Sequence, residues 1–210
     1  MVGVLALQGN FDSHRLRLEA LGARVRLIRK VEDLAELQGV VLPGGESTAL
    51  LRLLDPVLRE ELTRRILSGL PTLGTCAGVI LLAKQVQNPV QESLGLLDVT
   101  VSRNAYGRQV DSFIDSELRL TLEGRNFMRQ CCTEDTVGTS MQEESLLEGV
   151  FIRAPRITAV GAEVEVLIAR AQEPVLVREK NVLAATFHPE LSERAKLVHA
   201  LFLANVRRCS

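Results

Sequence analysis

Short apolar runs, each closed by a glycine or proline turn and followed by a helical pattern, fill the first 86 residues. Few folds accept that rhythm. Val2–Leu7 is continuously apolar, as a strand covered on both faces must be. Asp12–Leu21 sets Leu16, Ala20 and Leu21 at helical spacing, with Gly22 as the stop. Val25 and Leu27 alternate with Arg24 and Arg26, the pattern of a strand nearer a sheet edge. Gly39–Leu42 reads as a short buried strand ending at Pro43-Gly44-Gly45. Ser47–Leu54 and Pro56–Leu67 read as helices, the second with proline at its first position and Gly69 beyond its end. Pro71–Leu73 is a further strand, and Ala77–Val86 an apolar helix. Repeated strand–helix units of this kind form a mostly parallel open sheet with helices on both faces, a three-layer α/β sandwich.

The second half changes character. Leu97–Val101, Leu118–Leu122, Gly149–Ile152, Val164–Ile168, Val175–Val177 and Val182–Phe187 read as strands. No good helix follows until Glu193–Val206, where Leu197, Val198, Leu201 and Phe202 form one stripe. Strands without intervening helices are antiparallel additions to the sheet. Residues 123–148, polar and poorly patterned, read as a long loop or insertion that could hold some helix. The 210 residues fit a single domain, 1–210.

Charge and composition exclude several classes. Lys+Arg 25 against Asp+Glu 26 leaves a formal charge of −1, without the basic face a nucleic-acid backbone binder needs. Aromatics make up 3% of the chain, so base-stacking platforms are not expected and the core must be aliphatic. The start, MVGVLALQGN, reads as a strand rather than a signal peptide, and no apolar run approaches the ~20 residues of a membrane helix. Cys76, Cys131, Cys132 and Cys209 match neither a zinc ribbon nor a disulfide framework. The expectation is a cytoplasmic protein with reduced thiols, no metal site and no cofactor.

Three segments could carry chemistry. Gly74-Thr75-Cys76-Ala77-Gly78 lies between a short strand and an apolar helix, the setting of a nucleophile elbow with cysteine in place of serine. Such a turn lifts the sulfur above the carboxyl edge of the sheet, and the following helix directs its positive end at it. A small buried cysteine in a glycine-rich turn is the alternative, at about even odds on this pentapeptide alone. His188 ends the apolar strand Val182–Phe187 and begins His188-Pro189-Glu190. Pro189 keeps His188 out of the helical region, and along an extended chain Glu190 points to the same side. A carboxylate there can orient the imidazole as the third member of a triad does. His14 and His199 read as structural or solvent-facing. Pro43-Gly44-Gly45-Glu46-Ser47-Thr48 follows a buried strand and opens a helix. Its Gly45 N–H, with that of Ala77, is a candidate oxyanion hole. A phosphate-binding glycine turn or a plain strand–helix connection is the alternative.

The blocks LALQGN (5–10), LPGGEST (42–48), GTCAG (74–78), SLGLLDVTVSRNAYGRQVDSF (93–113), GVFIRAP (149–155) and FHPEL (187–191) span nearly the whole chain. In that order they resemble the class I, or triad, glutamine amidotransferases, and within these the glutaminase subunits of pyridoxal 5′-phosphate synthase. GTCAG and HPE fit several amidotransferases; PGGEST, RN-x-x-GRQVDSF and VFIRAP narrow the likeness. Residues 123–148 depart from it, being longer than the connection the family leads one to expect.

The resemblance implies a class I amidotransferase fold and hydrolysis of L-glutamine. It implies Cys76 as nucleophile, His188 as general base and acid, and Glu190 as its orienter. Gly45 and Ala77 would form the oxyanion hole. Gly45, Glu46 and Ser47 would line the glutamine site, Arg103 would bind the substrate, and Ile152 and Arg153 would close it. A guanidinium suits the α-carboxylate of free glutamine. The implied partner is a separate (β/α)₈ synthase subunit, in a large hetero-oligomer, that consumes the ammonia and switches the glutaminase on. Three readings stand beside this one: the glutaminase of another amidotransferase, such as imidazole glycerol phosphate synthase; a non-catalytic interaction protein on the same fold; and a thiol esterase or peptidase.

Overall fold

A computed structural model describes residues 1–103, 105, 112–131 and 146–209. Two sheets are present among these residues. The larger contains β1 (Val2–Leu5), β2 (Val25–Ile28), β3 (Gly39–Leu42), β4 (Thr72–Thr75), β7 (Phe113–Leu120), β8 (Leu147–Phe151), β10 (Glu165–Arg170), β11 (Glu173–Glu179) and β12 (Val182–Ala185). Their order is β2-β1-β3-β4-β12-β11-β10-β7-β8. From β2 to β12 neighbours run parallel; from β12 to β8 they run antiparallel. β12 is therefore the seam between the two halves. The smaller sheet holds β5 (Ala83–Gln87), β6 (Leu97–Ser102) and β9 (Arg156–Val160).

The parallel strands inside the edge, β1, β3, β4 and β12, are buried on both faces, and alternate residues feed two separate cores. Val41, Leu73, Leu183 and Ala185 face a core completed by Leu18 of α1 (Phe11–Ala20) and by Leu197, Val198, Leu201 and Phe202 of α6 (Lys196–Cys209). Val40, Leu42, Val182 and Ala184 face the other. That core is completed by α2 (Ser47–Leu53), α3 (Pro56–Leu67) and α4 (Ala77–Leu82) and by the smaller sheet. Helices cover both faces of the parallel half, and antiparallel strands are added late in the chain, as expected, but four of the eight neighbour pairs are antiparallel, so the sheet is half parallel rather than mostly parallel. The edge position of β2 matches its Arg-alternating sequence.

One expected helix ends early, one segment gains a helix that its sequence allowed, and one strand is new. The apolar helix expected over 77–86 stops at Leu82, and residues 83–87 form β5, paired with β6. Lys84, Gln85 and Gln87 are exposed while Ala83 and Val86 are buried, so this stretch suits an open strand better than a helix buried on every side. Within 123–148 the helix that the sequence allowed is present. α5 (Leu122–Cys131) occupies the start of that segment, and β8 begins at Leu147. The Thr121 hydroxyl caps α5 by accepting from the Gly124 N–H at 3.0 Å. Gly124, Phe127 and Met128 bury one face. Those three positions carry a helical period that the surrounding polar residues obscure. The remainder of that segment, 132–145, lies outside the described residues. The strand β9 was not read from sequence; only Ile157 of its five residues is buried, too little alternation to detect.

Candidate active site

β4 runs straight into Cys76, whose N–H donates to the Ala185 carbonyl at 2.9 Å and so ties the end of β4 to the end of β12. At Cys76 the chain turns with φ 47° and ψ −103°. That region is unfavourable for a residue with a side chain, at a cost of about 1–3 kcal/mol, and persists only where the surroundings impose it. They do so here. α4 starts at Ala77 under the turn, and a Cβ on Gly78 would lie 2.0 Å from the Leu42 carbonyl oxygen. Only glycine lets α4 pass this close to β3, which is what the G-x-C-x-G spacing anticipates. Cys76 is buried, with Sγ 3.9 Å from the carbonyl oxygen of Ile152.

His188 arrives from the other side. Its N–H donates to the Val150 carbonyl at 2.9 Å, fixing the chain beyond β12 against β8. The His188 Nδ1 to Glu190 Oε1 distance is 2.8 Å, with both side chains buried. The contact forms because Pro189–Leu191 makes a 3₁₀ turn, not because the chain stays extended as the sequence suggested. Burial opposes a charged ring, yet Cys76 and Glu190 outweigh it and hold the His188 pKa up to about 10. Burial likewise opposes the Glu190 carboxylate, but His14 and His188 pull its pKa down to about 2. At neutral pH the pair is a carboxylate holding an imidazolium.

Cys76 and His188 meet over Gly44. A Cβ placed there would lie 2.6 Å from His188 Cε1 and 3.1 Å from Cys76 Cβ. Gly45 follows with φ +146°, and the Gln8 side chain packs where its Cβ would be. Gln8 Oε1 also accepts from the Glu46 N–H at 3.1 Å. The Glu46 carboxylate caps α2, accepting from the N–H groups of Thr48 at 3.2 Å and Ala49 at 2.7 Å. Arg103 Nη2 lies 3.4 Å from Glu46 Oε1 and donates to Thr48 Oγ1 at 3.2 Å. Ser47 Oγ donates to Gln91 Oε1 at 2.9 Å. Ile152 adjoins Cys76 through its carbonyl, and Arg153 beside it has φ 48°.

The fold thus brings Cys76, His188 and Glu190 to one rim of the sheet with Gly44, Gly45, Ala77 and Ile152. Glu46, Ser47 and Arg103 form a second group at the start of α2. Most of RN-x-x-GRQVDSF, namely Asn104 and residues 106–111, lies outside the described residues.

The model of the SNO glutamine amidotransferase family matches residues 4–208. The chain belongs to that family. This amidotransferase is 52% identical over 206 residues to the pyridoxal 5′-phosphate synthase subunit PdxT of Koribacter versatilis, covering 98% of this chain and 95% of that one. It is 44% identical to PdxT of Thermosipho africanus, covering 99% of both. A solved structure titled as a glutamine amidotransferase superposes with a TM-score of 0.81 at 40% identity, covering 98% of both chains.

Of the two readings the sequence leaves for His14 and His199, structural or solvent-facing, the amidotransferase structure selects the structural one. His14 and His199 are not solvent-facing: both are fully buried, and His14 Nε2 stands 3.2 Å from Glu190 Oε2. His14 shares the inward face of α1 with Leu18, four residues on, a spacing that was available in the sequence. Nothing local tied either ring to Glu190. Among the described residues, no group of three or more His, Cys, Asp or Glu could hold a metal ion, and no helix is long and apolar enough to cross a membrane.

Proposed function

We propose that the chain, as one amidotransferase domain, hydrolyses L-glutamine to glutamate and ammonia through Cys76, His188 and Glu190. The observation that carries this is the 2.8 Å His188–Glu190 contact, on a ring that closes with Cys76 over Gly44. The Cys76 thiolate attacks the side-chain carboxamide carbon. The N–H groups of Gly45 and Ala77 hold the oxyanion, Ala77 N–H being free of intrahelical bonding at the start of α4. His188 gives its proton to the departing nitrogen, and the C–N bond breaks to release ammonia. Water then attacks the γ-glutamyl thioester, gives a proton to His188 and releases glutamate and the thiol. Gly45, Glu46, Ser47, Arg103, Ile152 and Arg153 line and close the glutamine site.

The ammonia passes to a separate (β/α)₈ synthase subunit that makes pyridoxal 5′-phosphate, within a large cytoplasmic hetero-oligomer. Support comes from relatives named as synthase subunits over nearly their whole length. The test is glutamate release with and without the synthase subunit. Turnover should rise on adding it, and Cys76→Ala should abolish turnover while leaving the circular dichroism spectrum unchanged. Wild-type turnover by Cys76→Ala sinks the proposal.

A further inference from the structure

Behind the triad lies a buried polar cluster that the reaction above leaves unused. His14 on α1 places Nδ1 2.9 Å from Nε2 of His199 on α6. Its Nε2 stands 3.1 Å from Thr75 Oγ1 and 3.2 Å from Glu190 Oε2. Glu190 Oε2 is buried and has no hydrogen bond of good geometry among the described residues, and the His14 ring nitrogen stands beside it at 3.2 Å. We propose that His14 is a positioning residue: it presents its Nε2 proton to Glu190 Oε2 and holds the carboxylate whose other oxygen orients His188. This rests on the triad reading of the preceding subsection.

Counting protons decides which nitrogen carries which. Burial lowers the pKa of both rings, against the pull of Glu190, that of His199 to about 3, which favours neutral rings with one proton each. The facing nitrogens, His14 Nδ1 and His199 Nε2, share one of these. Suppose His14 Nδ1 donated it. Glu190 Oε2 would then face a lone pair at 3.2 Å, and the His199 proton would sit on Nδ1, a buried atom with no partner among the described residues. Two groups would be orphaned. With His199 Nε2 as donor, the His14 proton moves to Nε2, toward Glu190 and Thr75. His199 Nδ1 is then a bare acceptor, and buried unpaired acceptors are tolerated better than buried unpaired N–H groups. Nε2 is aligned with Thr75 Oγ1 at 3.1 Å and stands 3.2 Å from Glu190 Oε2, and of these two oxygens the ionised carboxylate draws the proton more strongly. Arg17, three residues along the same helix, donates to the Glu190 carbonyl at 3.1 Å and pairs with Glu193. One face of α1 thus grips the 188–191 turn by backbone and by carboxylate.

The decisive experiment is glutaminase kinetics in the presence of the synthase partner. His14→Leu should lower kcat about 10- to 100-fold with KM changed less than about twofold, as loss of base orientation requires. His14→Gln, whose amide N–H reaches the same place, should recover kcat to within about threefold of wild type. A folded His14→Leu protein with wild-type kcat, or equal losses in both variants, overturns the assignment and leaves the triad standing. Cys76→Ala run alongside tests the triad itself. If His14→Leu does not fold, ¹⁵N NMR of the wild-type protein decides: a protonated Nε2 and bare Nδ1 on His14 support the assignment, and the opposite tautomer refutes it.

Discussion

The two sides of the active site are built by different means. Cys76 and the 43–48 turn leave the ends of β4 and β3, neighbouring parallel strands, and are held where adjoining strands meet: Ala185 takes the Cys76 N–H, Gly78 lies against Leu42, and Gln8 takes the Glu46 N–H. His188 and Glu190 leave β12, where the sheet changes from parallel to antiparallel, and depend on partners far away in the chain. Val150 holds the His188 backbone, while Arg17 and His14 hold Glu190. One side is turn chemistry fixed by the register of neighbouring strands. The other is an assembly of α1, β8 and β12 that exists only when the domain has closed. A lesion on the first side should therefore damage the fold or the chemistry outright, and one on the second should misplace groups that remain folded.

The largest effect expected is at Gly78. Gly78→Ala drives a Cβ to 2.0 Å from backbone at Leu42, so α4 must move off β3. Stability should fall by roughly 3 kcal/mol or more in a urea titration. A loss below about 1 kcal/mol would show that the elbow side is not fixed by close packing.

His188→Asn comes next and should lower kcat by about 10³-fold with the fold intact. Its stability effect carries a pH signature. The His188 pKa is raised from 6.5 to about 10, so the ring's contribution is complete below pH 6.5 and is lost as pH rises through 10. The denaturation gap between wild type and His188→Asn should shrink over that window. A gap that widens there would reverse the assigned sign.

Glu190→Gln removes the orienter's charge and leaves the nucleophile in place. The prediction is a kcat loss of about 10²-fold and a His188 pKa below that of wild type by NMR titration. An unchanged titration would mean that Cys76 alone holds the ring charged. Arg103→Ala should be milder, raising KM about tenfold with little change in kcat, because its guanidinium is assigned to binding. Ile114→Ser, on an exposed position of β7 far along the antiparallel half, should shift stability by less than about 0.5 kcal/mol and leave turnover unchanged.

Legibility in the sequence followed the same division. The G-x-C-x-G spacing gave the elbow, because a helix passing against β3 tolerates only glycine at position 78. The continuous apolar runs gave the doubly covered strands, because alternate residues of each strand feed opposite cores. The bounds of α5 were not legible because Phe127 and Met128 are buried among polar neighbours that carry no pattern of their own. The helix expected to run to Val86 ended early because β6 offered residues 83–87 a pairing edge, and an edge contributed by another segment leaves no mark on the stretch that uses it.

The sequence by itself determined the parallel α/β core, the strained cysteine turn and the pairing of His188 with the carboxylate two residues on, all of them short-range. Only the tertiary structure decided that β12 lies beside β4, so that the ring meets the sulfur over Gly44, and that His14 and His199 stand behind Glu190. Strand order and helix packing join residues more than a hundred positions apart, and the free energy that selects them belongs to the closed core rather than to any window of sequence.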